Sequence, residues 1–239
     1  MPEPILLFSC EHAVNRVPEG LRGLFEDRED LLDSHRAYDA GALGLAEELA
    51  QRFDAPLFRS HVTRLLIDHN RSPRNPGLWS EFSRDLEPGE RCDLVQKYYR
   101  PFRARVAAWI AEQTARGHRV VHIAVHSFTP ILNGNVRSTD VGFLYDPVRT
   151  DETGLASVWQ KELQRLRPGL RVHRNRPYRG VSDCHQRSYR LLYDAQTYIA
   201  LELEFNQKLL GGGQGGWVEL RRQLADSLAA AVRGRAAAD

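Results

Sequence analysis

Sulfur is scarce in this chain: its 239 residues include three cysteines and one methionine. Cys10, Cys92 and Cys184 are odd in number and far apart. That excludes a disulfide-stapled module and any CxxC metal or redox site, and reduced thiols are expected. An excess of one charge is lacking as well. Lys and Arg total 33 against 31 Asp and Glu, for a formal net charge of +2. The arginines are scattered among acids, with no basic run or interleaved aromatics to mark a nucleic-acid surface. No apolar run approaches the ~20 residues that span a bilayer. The amino terminus lacks the basic start, apolar stretch and small-residue cleavage site of a signal peptide. A soluble, cytoplasmic protein is the expectation. The HExxH helix motif of zincins and the Gly-x-Ser-x-Gly elbow of serine hydrolases are also missing, the latter even around Ser127.

What is present is an ordinary globular composition, 42% hydrophobic and 27% charged, arranged as strands alternating with helices. "PILLFS" reads as a buried strand and Tyr38 to Phe53 as an amphipathic helix. "APLFRS" and "TRLLID" are short strand candidates. Asp93 to Gly117 is helical with Gly117 as its C-cap, and Pro101 should kink or split it. "RVVHIAVHS", "VGFLYDP", "RVHRN" and "TYIALELEFNQ" are further strands, and Asp151 to Pro168 and Trp217 to Ala236 further helices. Gly211 to Gly216, "GGGQGG", reads as a flexible loop. The alternation predicts a three-layer α/β/α architecture with a largely parallel sheet. Neither a repeat nor a long linker divides the chain, so one domain over residues 1–239 is expected.

Polar residues fall at strand ends and in strand interiors. His12 follows the first strand, and His126 and Ser127 end "VVHIAVHS". Asp39 opens a helix, Arg64 and Asp68 sit on "TRLLID" with Asn70 and Arg71 beyond, and Glu202 and Glu204 lie in "ALELEF". Each has a plain alternative: His12 as a cap, His126 as a core histidine, Asp39 as a helix N-cap, "IDHNRS" as a turn with a salt bridge. His122, on the His126 face at period two, fits the core reading. Glu202 and Glu204 share one strand face, and two buried carboxylates need cations, a metal or water nearby. Taken together they predict one cleft at one edge of the sheet. Two His, one carboxylate and an open position compose a catalytic zinc site. A second carboxylate serves as general base, one Arg stabilises an oxyanion, and another Arg with an Asn grips a substrate carboxylate.

The stretches "SCEHAVNRVP", "YDAGA", "TRLLIDHNRS", "VHSFTP", "VRSTDVGFLYDP", "NRPYRGVSD" and "LELEFNQ" together resemble the N-formylglutamate amidohydrolase family, from Ser9 to about Gln207. That family is related to the zinc carboxypeptidases and aspartoacylases, which implies a mixed sheet flanked by helices and hydrolysis of an amide next to a free carboxylate. The resemblance makes His12 and His126 ligands of a Zn2+ ion. The wider clan uses His-x-x-Glu, but this chain has Asn15 where Glu is expected. Asp39 is taken as the substitute, with Glu11 a weaker candidate. Glu204 matches the general base, and Gln207 also fits. Arg64, Asn70 and Arg71 match a substrate-binding and catalytic stretch in which Asp68 orients an arginine. Arg137 and the segment Tyr178, Arg179, Gly180 line the rest of the pocket. The expected substrate is a small N-acyl amino acid or amide. A carboxypeptidase-like peptidase and a binding protein that lost its metal are the rivals.

Overall fold

The computed structural model describes residues 4–211 and 213–236. Among the described residues eight strands occur: β1 (Ile5–Cys10), β2 (Leu57–Arg59), β3 (Val120–Phe128), β4 (Ile131–Leu132), β5 (Asn135–Val136), β6 (Val141–Leu144), β7 (Val172–Arg174) and β8 (Tyr198–Asn206). The helices are α1 (Glu29–Leu32), α2 (Ala42–Arg52), α3 (Pro88–Leu94), α4 (Arg100–Ala115), α5 (Thr150–Leu166), α6 (Arg187–Arg190) and α7 (Gly213–Ala236). Six strands form one sheet in the order β2-β1-β3-β8-β6-β7, and β4 and β5 make a separate hairpin. The β2, β1, β3 and β8 strands run parallel, β6 runs antiparallel to β8, and β7 is parallel to β6. The sheet is therefore mixed and largely parallel, with helices on both sides.

The strands bury both faces, which is why "LLFSC", "VVHIAVHSF" and "YIALELEFN" read as nearly unbroken apolar runs. Phe8, Ile123, Val125, Leu201 and Leu203 pack with Leu45 of α2, Trp159 of α5 and Leu224 of α7. Leu7, Val120, Tyr198 and Ala200 face the other way, onto Phe102, Val106 and Ile110 of α4. Each buried Val, Leu, Ile or Phe among them contributes about 1.5–3 kcal/mol. Because side chains alternate with period two, His122, His126, Glu202 and Glu204 all fall on the α4 side of the sheet. The chain passes from β1 to β2 on one flank and later to β3 on the other. A strand-order reversal of this kind opens a crevice at the carboxyl ends of the two strands.

Two sequence expectations are corrected. "TRLLID" is not a strand: Thr63 to Asp68 is a buried turn, in which Leu66 N donates to Thr63 O at 3.1 Å and Asp68 N to Leu78 O at 2.9 Å. Its apolar residues Leu65, Leu66 and Ile67 are buried in a second core with Val17, Phe25 and Leu94, beside the sheet rather than in it. In a strand, Arg64 and Asp68 would lie about 13 Å apart. The turn instead brings Arg64 Nη2 within 3.0 Å of Asp68 Oδ2. The "GGGQGG" loop is also replaced, by a 3-10 turn over Gln207–Gly211 and the start of α7 at Gly213, with Gly212 outside the described residues. Glycine costs a helix about 1 kcal/mol per residue. Packing holds α7 nonetheless, through Trp217 against Phe205 at 4.7 Å between centroids and Leu220, Leu224 and Leu228 in the core. The disturbance at Pro101 is observed as a π-helical stretch over Val95–Tyr99 that joins α3 to α4, with right-handed helical backbone at Leu94, Val95, Tyr99 and Arg100, and this π turn lies directly before Pro101.

His122 is the core histidine its position suggested. Its Nε2 lies 2.7 Å from the Ser9 hydroxyl and its Nδ1 2.7 Å from the Tyr198 hydroxyl. Burial is the main reason its pKa falls to about 3. The unfolded chain takes up this proton near pH 6.5 and the folded one does not until about pH 3, so stability is lost as pH falls between the two. The share owed to this residue is about 2 kcal/mol between pH 7 and pH 5. Urea unfolding at both pH values should show a shallower pH dependence in His122→Gln. An unchanged slope would rule His122 out as the source.

Candidate active site

The crevice between β1 and β3 collects its groups from distant parts of the chain. His12 is the second residue past β1, and Asp39 N donates to the His12 carbonyl at 3.0 Å. Asp39 does not cap α2. Gly41, in the left-handed conformation with φ +78°, occupies the N-cap position and turns the chain into the helix, which leaves the Asp39 carboxylate free. That carboxylate meets both imidazoles: Oδ2 lies 3.3 Å from His12 Nδ1 and 2.8 Å from His126 Nδ1. The three donors are buried and lie within 4.8 Å of one another. The contacts are close to the ~3.3 Å edge of a tetrahedron with zinc bonds of about 2 Å.

The far nitrogens support a metal-binding role. His12 Nε2 lies 2.7 Å from Asp68 Oδ1, and His126 Nε2 lies 3.3 Å from Glu11 Oε2 and 3.8 Å from Glu202 Oε2. With an ion held at Nδ1, the carboxylate behind each ring would keep the proton on Nε2, the usual outer arrangement of metal-bound histidine; the 2.8 Å approach of His126 Nδ1 to Asp39 Oδ2 is otherwise a hydrogen bond. The donor set of two imidazoles and one carboxylate fits zinc.

A cleft of about 230 Å³ opens over these residues, also lined by Arg64, Asn70, Arg71, Tyr178, Arg179 and both Glu202 and Glu204. Residues 5–210 match the profile of the N-formylglutamate amidohydrolase family.

The chain belongs to that family.

Among solved structures it is similar to a gene product from Agrobacterium tumefaciens, at 29% identity and TM-score 0.82, over 97% of this chain and 91% of that one. It is also similar to N-formylglutamate amidohydrolase from Ralstonia eutropha, at 19% identity and TM-score 0.70, over 98% and 96% of the two chains, a likeness of fold. No curated protein matches the chain.

Within this family member the cleft residues differ in what they are free to do. Arg64 is anchored to Asp68 at 3.0 Å and to Asp39 at 3.5 Å, and these two carboxylates raise its pKa against the effect of burial. The Asn70 amide is turned inward: Oδ1 accepts from His185 N at 2.8 Å, and Nδ2 donates to Glu202 Oε2 at 3.3 Å. Among the described residues Arg71 donates to main-chain carbonyls, those of Asn70 at 3.2 Å and Asp183 at 2.9 Å. The Asp183 carboxylate is occupied by Ser72 N at 2.8 Å and Asn75 Nδ2 at 2.7 Å. Arg137 stands behind the cleft wall rather than in it. It donates to the Tyr178 hydroxyl at 2.9 Å and lies 5.1 Å above the Tyr178 ring. Gly180 keeps that wall close, since a Cβ there would fall 2.1 Å from Tyr145 N.

Electrostatics separates the two strand carboxylates. Burial, aided by Asp39 and Glu202 and opposed by His126, pushes Glu204 up to about 8, and its Oε2 has no hydrogen-bond partner among the described residues. Glu202 is already committed to Asn70. Asp39 and Asp68 go the other way. Burial works against their ionised forms, but His12, with His126 or Arg64, outweighs it and holds both below the usual carboxylate range. Sequence reasoning missed the contact of Asp68 with His12, and missed His185 altogether. His185 lies in the unpatterned stretch "SDCHQRS", which carries no periodic signal.

Proposed function

We propose that this protein is a zinc-dependent amidohydrolase that cleaves the amide of an N-acyl amino acid. The observation that carries the reading is the convergence of His12 Nδ1, His126 Nδ1 and Asp39 Oδ2 at the floor of a cleft, with a carboxylate behind each imidazole. These three residues would hold the ion. A bound zinc ion supplies Lewis-acid polarisation of the acyl carbonyl and acidifies water to a pKa of about 7.

The chain's own groups do the rest. Glu204, through its unpartnered Oε2, takes a proton from the attacking water and returns it to the departing amine nitrogen. Arg64, already oriented by Asp39 and Asp68, donates to the carbonyl oxygen as negative charge develops there. Arg71 and Arg179 both line the cleft, and among the described residues neither guanidinium pairs with a carboxylate. With no carboxylate in direct contact, they favour a substrate that brings its own, which Arg71 grips in a fork. Tyr178 closes the side. The small cleft favours an acyl amino acid over a peptide. Buried free Cys10 and Cys184 suit a reducing cytoplasm.

The test is a hydrolysis screen of the zinc-loaded protein against N-formyl and N-acetyl amino acids, each as free acid and as carboxamide. Free acids should be cleaved and carboxamides poorly. Arg71→Ala should raise KM for the acids about 10–100-fold, the loss of a charge-assisted pair, with kcat little altered. Cleavage of neither series by the zinc-loaded protein would overturn the reading.

A further inference from the structure

Besides Glu202 Oε2 at 3.8 Å, His126 has two nearer neighbours at Nε2 that make opposite demands on it. One is Glu11 Oε2, an acceptor at 3.3 Å; the other is Asn70 Nδ2, a donor at 3.5 Å. Asn70 cannot turn over to relieve the conflict, because its Oδ1 accepts from His185 N at 2.8 Å. If the donor prevailed, Nε2 would be the bare nitrogen and the proton would sit on Nδ1, where Asp39 Oδ2 at 2.8 Å accepts it and the nitrogen is closed to a metal. Glu11 is what opposes this. Its carboxylate is fully buried, and Oε2 makes no aligned hydrogen bond among the described residues, so the 3.3 Å approach to His126 Nε2 is its nearest route to a donor.

Glu11 is itself held from behind. Its Oε1 lies 2.9 Å from His185 Nδ1, and His185 Nε2 lies 2.7 Å from the Tyr189 hydroxyl. A hydroxyl proton given to His185 Nε2 leaves the His185 proton on Nδ1, pointing at Glu11. The Tyr189 hydroxyl also lies 3.3 Å from the Arg103 carbonyl, but the Glu11 carboxylate can only accept, which sets the same direction at the link from His185 to Glu11.

We propose that Glu11, oriented by His185, is a positioning residue that keeps the proton of His126 on Nε2 and so presents Nδ1 to the metal. The inference rests on the metal-site reading above and extends it from the ligands to the row behind one of them. It also accounts for the adjacent Glu11 and His12 at the end of β1. Successive residues there point to opposite sides, so His12 enters the site while Glu11 reaches behind its neighbouring ligand.

Glu11→Gln tests it with nearly no change of shape. The glutamine carbonyl must accept from His185 Nδ1, which turns its N–H toward His126 Nε2 and favours the blocked form. Zinc affinity, measured by competition with a chromophoric chelator on protein shown folded by circular dichroism, should fall about 10–100-fold. The wild-type protein carries an independent test. Long-range 1H–15N spectra of the zinc-loaded form should show His126 protonated at Nε2 and His185 protonated at Nδ1. Wild-type affinity retained by Glu11→Gln, or a zinc-bound His126 protonated at Nδ1, overturns this inference alone. Absence of zinc uptake by the wild type overturns the proposed function, and this inference with it.

Discussion

Replacement of His12 or His126 by alanine should abolish zinc binding and, with it, amide hydrolysis. Loss of an outer partner of a metal-bound histidine costs about 10–100-fold in affinity, and loss of the ligand itself costs more. Lewis-acid stabilisation is worth several kcal/mol, so activity should fall by about 10³-fold or more. In both variants the carboxylate behind the lost ring keeps a partner. Without His12, Asp68 still pairs with Arg64 at 3.0 Å; without His126, Glu11 still pairs with His185 at 2.9 Å. Elemental analysis should find about one zinc per wild-type chain and almost none in either variant. A strong chelator should silence the wild type, and added zinc should restore it. A variant that kept both its zinc and its rate would remove that histidine from the site.

Glu204→Gln should behave differently: zinc retained, KM little changed, kcat lowered about 10²–10⁴-fold, the usual worth of a general acid–base. Glutamine keeps the shape and the burial but cannot carry a proton. Glu204 is favoured over Glu202 for a physical reason. Glu202 Oε2 is held by Asn70 Nδ2 at 3.3 Å, while Glu204 Oε2 is buried without a partner. Burial beside Asp39 and Glu202 raises Glu204 to about 8, close to neutral pH, where a group that must both take and return a proton works best. Steady-state kinetics with parallel zinc analysis separates the cases. A drop in kcat that tracks zinc loss would make Glu204 a structural prop of the metal, and an unchanged kcat would exclude it as the base.

Much of the frame was legible in the chain because its signals are local. The runs around Leu7, Ile123 and Leu201 are apolar on both faces, as buried parallel strands must be, and Pro101 can only disturb a helix. That Glu202 and Glu204 share a face follows from period two alone. "TRLLID" was misread because an apolar run becomes a strand only if a sheet edge is available to it. Here a second core between the loops buried Leu65, Leu66 and Ile67 instead. For Asp39 the chain left a helix cap open beside the ligand reading, and Gly41 takes the cap position.

The amino-acid sequence by itself determined the alternation of strands and helices, the face on which each strand residue lies, and the chemical types able to bind a metal and move a proton. Tertiary structure alone decided which of them meet. The contact between Glu11 and His185 spans 174 residues, that between His126 and Asp39 spans 87, and that between His12 and Asp68 spans 56. Periodicity acts over a few residues. Such contacts exist only after β1, β3 and β8 have aligned their carboxyl ends and the burial of two cores has offset the cost of gathering charged groups away from water.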